Sequence, residues 1–153
     1  MVRIVACPLL LNRRFMSAKD FTELIAWQLA DELERFVQQM IKRPVLARDK
    51  TFCEQASDAA ASAPRNIAEG HGRFAPAQFA NYLRIAIGSE QETRNQIVKA
   101  WQRGALTDSE KREALLLSKR ALAAAVRLRA YLDSEEAKKN AKAIEHRTNR
   151  RTK

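Results

Sequence analysis

The chain has 153 residues, a formal net charge of +10, a hydrophobic share of 46%, and only four glycines and four prolines. That is enough apolar material for one domain of ordinary size and too few turn-formers for an all-β chain. The positive excess makes an anionic partner the first to test, and no stretch reaches the roughly 18 apolar residues that a membrane span needs.

The charge sits at the ends. Residues 1–19 carry Arg3, Arg13, Arg14 and Lys19 and no acid, while 138–153 carry Lys138, Lys139, Lys142, Arg147, Arg150, Arg151 and Lys153 against Glu145 alone. The span between them is balanced. The expected organisation is a basic extension without regular structure over 1–19, a folded body over 20–134 and a basic tail over 135–153. Too few apolar residues precede Cys7 for a signal core of roughly 7–15. Cys7 and Cys53 are isolated, as in reduced cytosolic proteins. A cytoplasmic chain with no membrane partner is expected, and Met16 offers a second start, which makes 1–15 a variable extension.

Asp20 and Glu23 form a capping-box-like pair before Ile25, Leu29, Leu33, Phe36, Val37 and Met40, which recur at helical spacing. That first helix ends near Arg43-Pro44, where proline forbids continuation. Asp49 caps a second helix through Phe52 and five alanines among residues 56–63, stopping at Gly70-His71-Gly72. Pro64 deletes one backbone hydrogen bond there and bends the helix. Pro76 opens a third, with Phe79, Leu83, Ala86, Ile87, Ile97 and Trp101 inside and Gly104 as C-cap. Gly88 in its interior costs about 1 kcal/mol against alanine, and close packing of a neighbouring helix is the ordinary reason for accepting it. Thr107-Asp108-Ser109-Glu110 is a capping box opening a fourth helix. Its main stripe is Leu117, Ala121, Ala124, Leu128 and Tyr131; Leu115, Leu122 and Val126 lie about 150° away at roughly 100° per residue. One core cannot bury both, so the second stripe predicts a subunit interface. Beyond Ser134 the pattern decays into a polar tail, disordered alone or nascent helix. Four helices of about 22–28 residues with short connections make an all-α, up-down antiparallel four-helix bundle.

Three blocks carry a family resemblance: Phe21-x-x-Leu24-x-x-Trp27-Gln28; Ser62-Ala63-Pro64-Arg65-Asn66-Ile67-Ala68-Glu69-Gly70; and Phe79-x-x-Tyr82-Leu83-x-Ile85-Ala86-x-Gly88-Ser89-x-x-Glu92. Over residues 21–133 the chain resembles the bacterial four-helix-bundle family of proteins encoded in intervening sequences of large-subunit rRNA genes. The accessory variability protein of diversity-generating retroelements is a more distant relation. The family usually has isoleucine where this chain has Ala63, which trims a packing group. The resemblance implies a pentameric barrel of non-catalytic protomers and, through the retroelement relatives, binding to a reverse transcriptase and to nucleic acid.

No catalytic, cofactor or metal constellation accompanies it. His71 and His146 are the only histidines, Glu69-x-His71 has the wrong spacing for one helix face, and no Cys/His set has metal spacing. Nucleic-acid binding draws on the two basic ends, on Arg112, Lys119, Arg120 and Arg127 along one arc of the fourth helix, and on a general excess of arginine. The arginines in question are Arg35, Arg43, Arg48, Arg65, Arg73, Arg84, Arg94 and Arg103. Leu116 and Ala123 lie inside that arc, which reads equally as a solvated face or a mixed protein contact. The competing reading is a protein–protein scaffold. Trp27, Pro64, Asn66, Glu69, Gly70, Gly72, Arg73, Gly88, Leu115, Leu122 and Val126 are assigned to subunit packing or to the family motif. Within it, Glu69 and Arg73 suit a local ion pair, and Asn66 is placed to serve backbone groups near the Pro64 gap.

Overall fold

The computed structural model describes residues 18–73 and 75–142, and all their regular structure is helical. Arg147, Arg150, Arg151 and Lys153 lie outside these residues, as does the extension before residue 18 with Cys7. A 3-10 turn, Phe21–Glu23, precedes α1 (Ile25–Met40), α2 (Pro44–Ala47), α3 (Lys50–Gly72), α4 (Pro76–Gln102) and α5 (Asp108–Leu132).

Most helix ends form where their capping chemistry stands. The Asp49 carboxylate accepts from the Phe52 N–H at 3.0 Å, and Pro76 occupies the first turn of α4. Gly104 takes φ +72° just past α4, so that the Ala105 N–H reaches the Ala100 carbonyl at 3.0 Å. Thr107 and Glu110 complete a reciprocal capping box at α5. The start of α1 differs from expectation. Asp20 accepts from Thr22, and Glu23 accepts from the Lys19 N–H, so this pair caps the 3-10 turn rather than the long helix. α1 is consequently only 16 residues long. The connection after it, atypical for the family, contains α2, whose Leu46 is buried. At the other end, helical structure resumes over residues 135–142, and Ala137 is fully buried. The polar stretch begins as packed helix because one small apolar residue suffices to seat it.

α1 packs against α3 and α5, and α4 packs against the same two, leaving α1 and α4 diagonal. Ser62 meets Ser89, and Glu69 meets Tyr82, so α3 and α4 run antiparallel. Helix α5 buries Ala114, Ser118, Ala121, Ala125, Leu128, Tyr131 and Leu132. This strip lies between the two anticipated stripes. Leu117 and Ala124 flank it on one side and Leu115 and Leu122 on the other, all half-buried, with Leu115 and Leu117 packed on the core. The core thus takes part of both stripes, and of the second only Val126 is exposed, at 47%.

The core has two apolar clusters. An upper one joins Leu24, Ile67, Phe79, Leu83, Leu128 and Ala137; a lower one joins Leu33, Val37, Met40, Leu46, Phe52 and Ile97. Among the described residues alanine contributes 14 of the 29 buried apolar positions, including Ala56, Ala59, Ala60 and Ala63 on the smooth flank of α3. Between the clusters the inner face of α4 turns polar, with Glu90, Thr93 and Gln96 buried.

Candidate nucleic-acid interface

Arginine supplies much of the chain's positive charge, and the folded body consumes part of it. Arg43, at the α1–α2 corner, donates to the Ala105 carbonyl at 2.6 Å and to both oxygens of Glu110, at 2.5 and 3.2 Å. These bonds, with those from Thr107, hold the Glu110 carboxyl at about 2. Arg103 pairs with Asp49 at 2.9 Å and lies 4.3 Å from the centre of the Phe52 ring. Arg35 pairs with Asp31 at 2.7 Å. Arg73 bonds Glu69, which also accepts from the Tyr82 hydroxyl at 2.8 Å, and the Arg73 guanidinium lies over the Tyr82 ring. Hydrogen bonding to Arg73 and then to Tyr82 lowers the Glu69 pKa. The four arginines so placed serve first as ties within the body. Sequence reasoning had no means of separating them from the rest, because two of the pairs span 54 and 67 residues.

The arc on α5 is different. Arg112, Lys119, Arg120 and Arg127 are all exposed, and none pairs with an acidic group among the described residues. At 1.5 Å per residue they line about 22 Å of one helix face. Leu116, in the middle of the arc, is 59% exposed. Arg48 and Arg94 are exposed, while Arg65 and Arg84 bond only the Ala61 carbonyl and the Asn81 side chain. Past α5, Lys139 and Lys142 are exposed and Lys138 bonds Glu135 at 2.7 Å. That bond raises the Lys138 pKa and keeps it charged.

The motif residues mostly join α3 to α4. A Cβ on Gly70 would overlap the Phe79 ring and stand 2.8 Å from Tyr82 Cβ. Only glycine lets α4 return so close. Pro64 is buried. Asn66 donates to the Ser62 carbonyl at 2.8 Å and to the Ser62 hydroxyl at 3.1 Å, and that hydroxyl lies 2.8 Å from Ser89. Asn66 therefore serves the Ser62 carbonyl rather than the Ala60 carbonyl from which Pro64 withholds an N–H. Trp27 is half-buried and meets Phe21 edge to face at 5.2 Å. Gly72 and Gly88 behave otherwise, because a Cβ at either meets nothing within 4 Å. Among the described residues no neighbouring helix packs on Gly88, contrary to the ordinary reason for a glycine there. Ile85, one turn earlier on the same helix, is 53% exposed.

Among the described residues no group of three or more His, Cys, Asp or Glu is placed to hold a metal ion, and no helix is long and apolar enough to cross a membrane. Residues 22–125 match the family model of the 23S rRNA-intervening sequence protein. No curated protein matches the chain.

Proposed function

The chain belongs to the 23S rRNA-intervening sequence protein family, and from that premise we propose that it is a non-catalytic, self-associating helical bundle that binds nucleic acid through its basic surfaces. One observation carries this reading: among the described residues Arg112, Lys119, Arg120 and Arg127 stay exposed and without an acidic partner on a single face of α5 while other arginines are tied up in the body. Such a row suits phosphates, with affinity gained from counterion release and no base readout required. Lys138, Lys139 and Lys142 extend the surface, and Arg147, Arg150, Arg151 and Lys153 continue its charge in sequence. The family's name makes RNA the first probe.

Self-association draws support from Ile85 and Gly88 on α4 and from Val126 on α5. Two unlike faces favour head-to-tail contact, which gives a ring when the rotation between copies closes, and the pentamer is the specific form proposed. In a ring the basic face recurs on every protomer, so weak contacts sum as one multivalent surface. A reverse transcriptase is the protein partner proposed through the retroelement relatives.

The test is fluorescence anisotropy with a labelled RNA hairpin and a DNA duplex between about 50 and 200 mM salt, where counterion release weakens binding steeply. Removing residues 138–153 lowers the salt slope without changing oligomer size, and neutralising Arg112, Arg120 and Arg127 together removes most of what remains. Equal affinity and slope in all three proteins overturns the proposal. Leu116 then favours the second reading, a protein–protein scaffold, in which Leu116→Ser dissociates the assembly and basic substitutions do nothing.

A further inference from the structure

Glu90 lies at the waist of the bundle, between the two apolar clusters, and is 1% exposed. Among the described residues neither of its carboxyl oxygens has a hydrogen-bond partner. The inner face of α4 runs Leu83, Ala86, Glu90, Thr93, Ile97, Ala100, so an acid stands where the helical repeat calls for an apolar residue. No charge compensates it from any packed element. On α3, the Ser62–Ser89 contact sets the level, where the inner residues are Ala59, Ala60 and Ala63 and the nearest charges, Asp58 and Arg65, are exposed. On α5, the Trp101–Asp108 bond sets the register and brings Ser118, Ala121 and Ala125 to this level; Lys119 and Arg120 point outward, and Arg129 pairs with Asp133. On α1, the diagonal helix, the inner residues are Ala30, Leu33 and Val37, and the charged neighbours Asp31 and Glu34 are only half-buried. The Glu34 pKa rises through its own burial and then through Asp31.

We propose that the waist is a proton-dependent latch: the four helices close across Glu90 only while its carboxyl is protonated, and ionisation parts them there while the two clusters hold the ends. A neutral carboxyl is tolerable among alanines, whereas a bare carboxylate without a partner is not. The only cause acting on Glu90 is desolvation, which lifts its titration to about 8. The sign follows directly. An unfolded chain releases this proton near the ordinary carboxylate value and the folded one near 8. The folded state therefore holds the extra proton between those limits, and stability falls as pH rises through that window. The window includes neutrality, so modest alkalinisation loosens the protomer. This latch is independent of nucleic-acid binding and of assembly.

The experiment compares full-length wild type with Glu90→Gln, a neutral isostere, by urea unfolding at intervals from pH 5 to 9. The unfolding constant of wild type rises relative to the variant by up to about tenfold per pH unit as far as about pH 8 and then levels. Glu92→Gln, on the exposed face of the same helix, shows no such divergence. Should Glu90→Gln fold poorly, Glu90→Met takes its place in the same comparison. Amide exchange at residues 88–96, compared with the variant at equal pH, accelerates in wild type above about pH 8 while residues in the end clusters do not. A wild-type-to-variant ratio that stays constant across the range overturns the proposal, as does uniform acceleration of exchange along the whole chain.

Discussion

Gly70 and Gly88 are both helical glycines of the family blocks, yet the structure assigns them opposite consequences. At Gly70 an added methyl meets the Phe79 ring and the Tyr82 Cβ, and overpacking of this kind costs about 1–3 kcal/mol. At Gly88 the methyl meets nothing, so the protomer gains the roughly 1 kcal/mol by which alanine exceeds glycine in a helix. Urea unfolding of Gly70→Ala and Gly88→Ala at low concentration is expected to give shifts of opposite sign. If Gly88 supports self-association, sedimentation shows Gly88→Ala dissociating more readily while each protomer is more stable. Gly88 was legible as an exception to helix propensity, whereas Gly70 read as part of a helix stop, although the helix runs on to Gly72. Their difference was not legible, because it depends on whether a partner helix lies opposite, and that is a fact of three dimensions. Glu90 is the residue that pattern reading passed over. The series Leu83, Ala86, Glu90, Thr93, Ile97 was on the page and would have flagged it.

At the scale of elements, the helices were readable because caps and periodicity are local. Asp49, Pro76, Gly104 and Thr107 each mark a boundary the chain uses. The 3-10 turn and α2 were hidden because three or four residues are too few to show a helical period, and residues 135–142 stayed open between disorder and nascent helix because a single buried alanine makes no pattern. Pairing between elements was hidden altogether. The Arg43–Glu110 bond joins the α1–α2 corner to the start of α5, and Glu110 stays ionised down to about 2 through Arg43 first and Thr107 next. Its folded value lies below its unfolded one. The stabilisation is therefore complete above the ordinary carboxylate range and is lost as pH falls toward 2. Acid titration of wild type against Arg43→Met, followed by circular dichroism, should show the variant already weakened at neutral pH and less sensitive to acid. Parallel curves would mean that this corner contributes nothing.

For the whole molecule, the candidate interface was half legible. The row Arg112, Lys119, Arg120 and Arg127 follows from helical geometry alone and is exposed. The wider claim on arginine shrank once Arg35, Arg43, Arg73 and Arg103 had partners. Charge counting sees valence but not commitment, since an ion pair needs a neighbour that folding supplies.

The alanine-rich interior has a consequence for how this sequence can drift. In a core of large side chains, most damage comes from losing volume. Here 14 of the 29 buried apolar positions among the described residues have almost no volume to lose, and the helices stand close because of it. Tolerance is thereby inverted. Alanine to glycine at Ala59, Ala60 or Ala121 costs only about 1 kcal/mol of helix propensity, whereas valine or leucine there forces the helices apart at about 1–3 kcal/mol. Saturation mutagenesis scored by abundance should show these positions rejecting valine, leucine and anything larger while admitting serine and glycine. A lineage under that constraint cannot innovate inward, and its variation is confined to the outer faces, where its partners are met.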